Sequence, residues 1–154
     1  IGKGSTFRVL LPIARGDAAV QAKPTVAHLT PPRRGRILII DDEKMVASAL
    51  RRMLAPEHDV DAETAVSVAL ERIGAGERFD VIFCDLMMPQ MTGMDFYEGL
   101  ARAAPEQVAR VVFMTGGAFT PAARAFLDHV PNARIEKPFD IQNLRLMVHG
   151  VLAR

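Results

Sequence analysis

The chain has 154 residues, 49% of them hydrophobic, and its 19 basic and 18 acidic side chains leave a formal net charge of +1. That is enough apolar material for one ordinary domain plus a tail, with no clustered basic excess of the kind a nucleic-acid footprint needs. No apolar run approaches the roughly 20 residues that span a bilayer, no secretory signal opens the chain, and the single cysteine, Cys84, permits no internal disulfide, so a soluble fragment in a reducing, cytoplasmic compartment is expected, whatever anchor a longer parent carries upstream.

In chain order, residues 1–12 come first. Gly2 and Gly4 lead into an alternating stretch that puts Phe7, Val9 and Leu11 on one face of a strand. The stretch begins without a start methionine and reads as part of something longer. Residues 13–35 lack periodicity and carry Pro24, Pro31 and Pro32, which predicts a linker. Its short basic cluster, Arg33-Arg34-Gly35-Arg36, reads as a solvated part of that linker.

From Arg36 onward strands and helices alternate. A strand over about 36–41 precedes a helix over 43–54 with a stripe of Val46, Ala49, Leu50, Met53 and Leu54. A short strand near His58–Ala62 leads to a helix capped by Thr64, with Val66, Ala69, Leu70 and Ile73 on one face and Gly74 and Gly76 at its end. The apolar run Val81-Ile82-Phe83-Cys84 then predicts a strand buried on both faces, with Cys84 as a small core hydrophobe. A helix over 93–103 presents Phe96, Tyr97 and Leu100. The strand Val111–Met114 follows, and Thr120-Pro121 marks the next helix start. The strand Ala133–Glu136 and a last helix, capped by Asp140 and striped by Ile141, Leu144, Val148, Val151 and Leu152, complete the pattern. Five strands alternating with five helices predict an α/β fold, a doubly wound parallel sheet covered on both faces with right-handed crossovers.

Four of these strands end in chemistry. The first ends in Asp41-Asp42, the third in Asp85, the fourth in Thr115 and the fifth in Lys137-Pro138. Strand ends are where open α/β sheets place their sites. Each residue has a bland explanation by itself: helix capping for Asp42, a turn for Thr115, a surface position for Lys137. Their joint order argues otherwise. Packed carboxylates repel, and a hard cation with oxygen ligands relieves them; magnesium suits a few carboxylates together with water and phosphate. Such a set can hold a divalent metal and accept a phosphoryl group.

Residues 36–154 resemble a response-regulator receiver domain. The matching pieces are Ile39-Ile40-Asp41-Asp42-Glu43, Asp85-Leu86-Met87-Met88-Pro89-Gln90-Met91-Thr92-Gly93, Met114-Thr115-Gly116 and Lys137-Pro138-Phe139. The resemblance implies a flavodoxin-like sheet of strand order 2-1-3-4-5. It implies that Asp85 accepts a phosphoryl group from phosphohistidine. Asp42, Asp85 and the Met87 main-chain carbonyl would ligate Mg2+ (or Mn2+), with Asp41 acting through a metal-bound water. Lys137 would contact the phosphoryl oxygens, Thr115 would hydrogen-bond them once present, and the Lys137–Pro138 bond would be cis. Partners would be a histidine-kinase phosphodonor domain or a histidine phosphotransfer protein, with no nucleic acid and no membrane contact.

Gly2-Lys3-Gly4-Ser5-Thr6-Phe7 through Leu11-Pro12 is similar to the last glycine motif and closing strand of histidine-kinase ATP-binding domains. The resulting order is a kinase remnant (1–12), a linker (13–35) and a receiver (36–154), as in a hybrid histidine kinase. No histidine sits as a phosphodonor would: His28 lies in the linker, His58 at a strand edge, and His129 and His149 on helices.

Three positions depart from the family or vary within it. Receivers often carry an aromatic residue three positions before the lysine; here it is Arg134, so Phe119 or Arg134 itself would report the phosphorylated state through the loop and helix after Thr115. Met87 and Gly117, two residues after Asp85 and Thr115, cannot hydrogen-bond an attacking water, which predicts slow self-dephosphorylation. Two other readings compete. A phosphorylation-independent interaction domain would be expected to have lost one of the five key residues. An aspartyl-phosphate phosphohydrolase usually spaces its two acids two apart after the first strand.

Overall fold

The computed structural model describes residues 33–117 and 120–153. The kinase-like stretch, most of the predicted linker and Phe119 therefore lie outside the described residues. Five strands, β1 (Arg36–Ile40), β2 (Asp59–Glu63), β3 (Val81–Asp85), β4 (Val111–Thr115) and β5 (Ala133–Glu136), form one parallel sheet in the order β2-β1-β3-β4-β5. The helices are α1 (Lys44–Leu54), α2 (Val66–Gly74), α3 (Gly93–Ala103), α4 (Pro121–His129) and α5 (Ile141–Leu152). The expected fold class and strand order are both observed.

The inner strands explain why the alternation closes into a sheet. Every residue of β3 and β4 is buried, as a strand covered by helices on both faces requires. One core joins Leu38, Ile40, Ile82, Cys84 and Phe113 to the apolar faces of α2, α3 and α4; the other joins Ile37, Ile39, Phe83, Val112 and Met114 to α1 and α5. Fully burying a side chain the size of Phe83 or Phe113 contributes ~1.5–3 kcal/mol. The edge strands β2 and β5 are mixed and partly exposed, which is why they were weak in the sequence.

Local signals hold at most ends. Thr120 accepts from the Ala123 N–H with Pro121 at the first helical turn, and Asp140 accepts from the Gln142 N–H. Thr92 and Asp95 form a reciprocal capping box at the start of α3. Two expectations change, and one element appears for which none was made. The N-cap of α2 is Ala65, with no side-chain cap, rather than Thr64. The stripe of α1 buries Ala47 with Leu50 and Leu54, leaving Val46, Ala49 and Met53 partly exposed. A 3₁₀ turn at Pro105–Arg110 follows α3. Its Gln107 is buried, accepting from the Phe79 N–H at 2.8 Å and donating to the Glu77 carbonyl at 3.3 Å.

Candidate functional site

The carboxyl ends of β1, β3, β4 and β5 converge because the sheet is parallel. The register aligns Ile40 with Cys84, Asp85 with Met114 and Thr115 with Glu136, so the residues that follow or end these strands share one rim. Asp41, Asp42 and Asp85 each bring one carboxylate oxygen within 4.8 Å of the others. Asp41 is wholly buried and Asp85 is 7% exposed, whereas Asp42 faces solvent.

Lys137 reaches in from the far edge. Its Nζ donates to Asp41 Oδ2 at 2.9 Å and lies 3.4 Å from Asp85 Oδ1. The other Asp41 oxygen accepts from the Glu43 N–H at 2.9 Å. Both Asp41 oxygens are thus occupied, and the acid that opens toward solvent is Asp42. Asp42 was a candidate helix cap, but the N-cap of α1 is Glu43, without a side-chain cap. The Lys137–Pro138 bond is cis, and the Lys137 N–H donates to the Thr115 carbonyl at 2.7 Å.

Electrostatics follow from burial. Desolvation is the largest influence on Asp85 and pushes its pKa up; the Asp41 charge adds to this, while Lys137 and the Met87 N–H oppose it without cancelling it. For Lys137 burial alone would lower the pKa, but the Asp41 hydrogen bond and the Asp85 and Asp41 charges outweigh it, so the ammonium is held more firmly than usual. The adjacent Cys84 thiol is driven well up by its complete burial, which keeps it an uncharged core group.

Thr115 is buried on the neighbouring strand and donates to the Ile135 carbonyl at 3.4 Å, a long contact that leaves the hydroxyl weakly tied. Gly116 has open space around its Cα. The Met87 side chain is 41% exposed on the loop after Asp85, and Arg134 is exposed on β5. Of the histidines, His58 is buried near the sheet edge; His129 is exposed on α4.

Two residues acquire roles that spacing alone did not reveal. Glu43 offers the backbone N–H that orients Asp41. At Gly93 a Cβ would stand 2.6 Å from the Asp85 carbonyl oxygen and 3.0 Å from Leu86 Cα, so the start of α3 lies directly on the backbone that leaves β3. The Gly93 N–H donates to the Leu86 carbonyl at 3.1 Å. The sequence signal was only a glycine inside the motif that follows Asp85. A group of buried acids with a firmly charged lysine can bind a hard cation and stabilise charge on a phosphoryl group.

A family model described as the response regulator receiver domain matches residues 37–149. A Yersinia pestis protein described as an uncharacterized response regulatory protein is 37% identical over 112 residues, which cover 71% of this chain and 44% of that protein. The response regulator ArlR of Staphylococcus saprophyticus is 30% identical over 120 residues, covering 77% of this chain and 53% of ArlR. The chain spans about half the length of these curated relatives. Among solved structures, a putative response regulator from Chloroflexus aurantiacus aligns with a TM-score of 0.69 at 24% identity, covering 79% of this chain and 100% of that one. Vibrio cholerae chemotaxis protein CheY4 aligns at 0.67 and 23%, covering 77% and 99%. At such identities the structural likeness concerns the fold.

Proposed function

Because the chain belongs to the response-regulator receiver family, we propose that Asp85 is the phosphoacceptor of a two-component signalling protein. One observation carries the reading: the Lys137 ammonium sits between two buried carboxylates, 2.9 Å from Asp41 and 3.4 Å from Asp85, with the exposed Asp42 alongside. An Asp85 oxygen attacks the phosphorus of a phosphohistidine; the new P–O bond forms as the P–N bond breaks, and the imidazole leaves with that electron pair. Little covalent chemistry falls to the protein, so its work is positioning and charge stabilisation. Lys137 faces the phosphoryl oxygens as Asp85 gives up its share of the ammonium. Thr115, weakly bound to Ile135, can turn its hydroxyl toward the new group, and open Gly116 leaves room for an incoming imidazole.

The donor set fits a hard divalent cation. Asp42, Asp85 and the Met87 carbonyl would hold Mg2+ (or Mn2+), with Asp41 behind a water, since both its oxygens already accept hydrogen bonds. The cation would supply positive charge to the phosphoryl oxygens. The glycine motif and the alternating Phe7, Val9 and Leu11 pattern in the sequence of residues 1–12, ahead of the proline-bearing sequence 13–35, favour a hybrid histidine kinase as parent, so the donor is that kinase's own phosphohistidine or a histidine phosphotransfer protein. Among the described residues no helix is long and apolar enough to cross a membrane.

The test is incubation with acetyl phosphate and magnesium followed by intact mass. One phosphoryl adduct is expected, lost in Asp85→Asn and strongly reduced in Lys137→Ala. An unmodified wild-type mass would support a phosphorylation-independent interaction domain instead. Steady turnover of a generic phosphate ester would point to a phosphohydrolase.

A further inference from the structure

The basic cluster Arg33-Arg34-Gly35-Arg36, expected as a solvated stretch of linker, is tied down at every residue. Arg33 pairs with Asp80, Arg34 Nε with Asp59 at 2.8 Å, and Arg36 with both Asp61 and Glu77. The backbone is held as well. The Gly35 carbonyl accepts from the Asp59 N–H at 3.0 Å and the Arg36 carbonyl from the Asp80 N–H at 2.8 Å, while the Arg36 N–H donates to Asp80 Oδ2 at 2.8 Å. Gly35 lies in a slot between the end of α5 and the turn before β3. A Cβ there would stand 2.8 Å from Leu152 Cδ2 and 3.6 Å from Asp80 Cβ. Residues 33–35 thus cross the rim of the sheet opposite Asp85 as a strap.

One bond of the strap depends on a titratable group. His58 is buried, and its Nδ1 accepts from the Gly35 N–H at 3.3 Å. An imidazolium carries hydrogen on both ring nitrogens, so a second proton on His58 would set two donors against each other away from water. We propose that residues 33–35 are a pH-operated strap: neutral His58 holds them on the rim, and protonated His58 lets them go. Release frees Arg33, Arg34 and Gly35 and adds up to about 10 Å to the chain that leads into β1. The device lies at the other end of the strands from Asp85 and does not depend on the chemistry proposed there.

The strap can open without the sheet. The Arg33 and Arg34 side chains are exposed, so their ion pairs hold weakly, and Gly35 has no side chain to extract. Opening stops at Arg36, which begins β1, is aligned with Asp59 of β2, and lies over the Phe79 ring at 4.6 Å. The charged groups that face His58 are Arg34 from the strap, its chain neighbours Glu57 and Asp59, and Asp80 from the turn before β3; Glu57 is itself paired with Arg145 of α5. The three acids favour the proton. Burial, the largest influence, and Arg34 oppose it and prevail, so the closed strap takes up the proton at lower pH than an imidazole in water. Acid therefore favours the open form. At about pH 5 a solvated histidine is almost wholly protonated, which raises the share of open strap by up to about thirtyfold over that at about pH 7.5.

Amide hydrogen exchange of the full chain, followed by NMR and corrected for the intrinsic effect of pH, tests this. The Gly35 amide should be less protected than that of Phe83 in the middle of β3 at every pH, because the strap opens alone. Its protection should be level above about pH 7.5 and fall by on the order of tenfold or more by about pH 5. In His58→Asn the side-chain oxygen can still accept from Gly35 but cannot titrate, so Gly35 protection should stay level throughout; His58→Gln serves the same purpose if the first variant does not fold. Gly35 protected as strongly as Phe83 would mean that no strap opens separately. That result, a level wild-type profile, or a variant that falls in step with wild type would each overturn the proposal.

Discussion

At the scale of single residues, burial decides which groups can do chemistry. Asp85 and Lys137 perturb one another because both are withdrawn from water at the rim of one sheet. Their pairing could be read from the sequence, since each closes a predicted strand, Asp85 the fully buried β3 and Lys137 the mixed edge strand β5, at the same end of a parallel sheet. Asp41 differs. Its adjacency to Asp42 showed an acid pair, but which acid would be buried and which would face solvent depends on how the chain turns after Ile40, and spacing does not encode that. Met87 carries a prediction at this scale. It is 41% exposed, so replacing it opens no core cavity, and its thioether cannot orient a water by hydrogen bonding. Gly117 is the poorer site to alter, because its φ of 78° strains any side chain. Met87→Asn should therefore speed loss of phosphate from Asp85 by roughly tenfold, a barrier change of about 1.4 kcal/mol. Decay of radiolabel on the isolated chain measures it. A fast wild-type rate that the substitution leaves unchanged would reject the explanation.

At the scale of elements, the inner strands and long helices were legible because their periodicity is sustained. The misses share a cause: contacts made through space rather than along the chain. The Pro105–Arg110 turn has no period of its own and is held by Gln107 bonding to Phe79 and Glu77, some thirty positions earlier. Thr64 is a good cap residue one position too early, because α2 starts where Val66 can reach the core. Gly93 shows how an element fixes the site. With any larger residue there, α3 must lift from the backbone that leaves Asp85. Gly93→Ala should cost about 1–3 kcal/mol, the usual penalty of overpacking, despite the better helix propensity of alanine. Urea unfolding measures the loss, and acetyl-phosphate labelling of the folded fraction should slow as well. A variant as stable as wild type would show that the loop yields without cost.

At the scale of the whole molecule, the rim opposite Asp85 ties the chain before β1 to the turn before β2. His58 is 2% exposed, and its Nδ1 accepts from the Gly35 N–H at 3.3 Å, so the ring is neutral with its proton on Nε2. Burial is the largest cause of its lowered pKa, and Arg34 adds to it; the acids Glu57, Asp59 and Asp80 oppose both without prevailing. A base with a lowered folded-state pKa stays neutral in the fold while the unfolded chain takes up its proton. Its stability contribution is complete above the unfolded value near 6.5 and is lost as the pH falls through the folded value. Glu77 acts in the same direction further down: Arg72, then Arg36, hold it near 2, so its pairing weakens only between its ordinary value of 4.5 and that point. Asp85, with a raised pKa, works the other way in the acid range. The two falling contributions are therefore separated in pH. Between about pH 7.5 and about pH 5.5 His58 should dominate. Wild type should lose urea resistance over that interval, while His58→Asn, whose side-chain oxygen can still take the Gly35 N–H but cannot titrate, should hold its midpoint nearly constant. The absolute stability of the variant does not matter to this test, only its slope with pH. Parallel slopes for the two proteins would show that His58 is not the group that titrates.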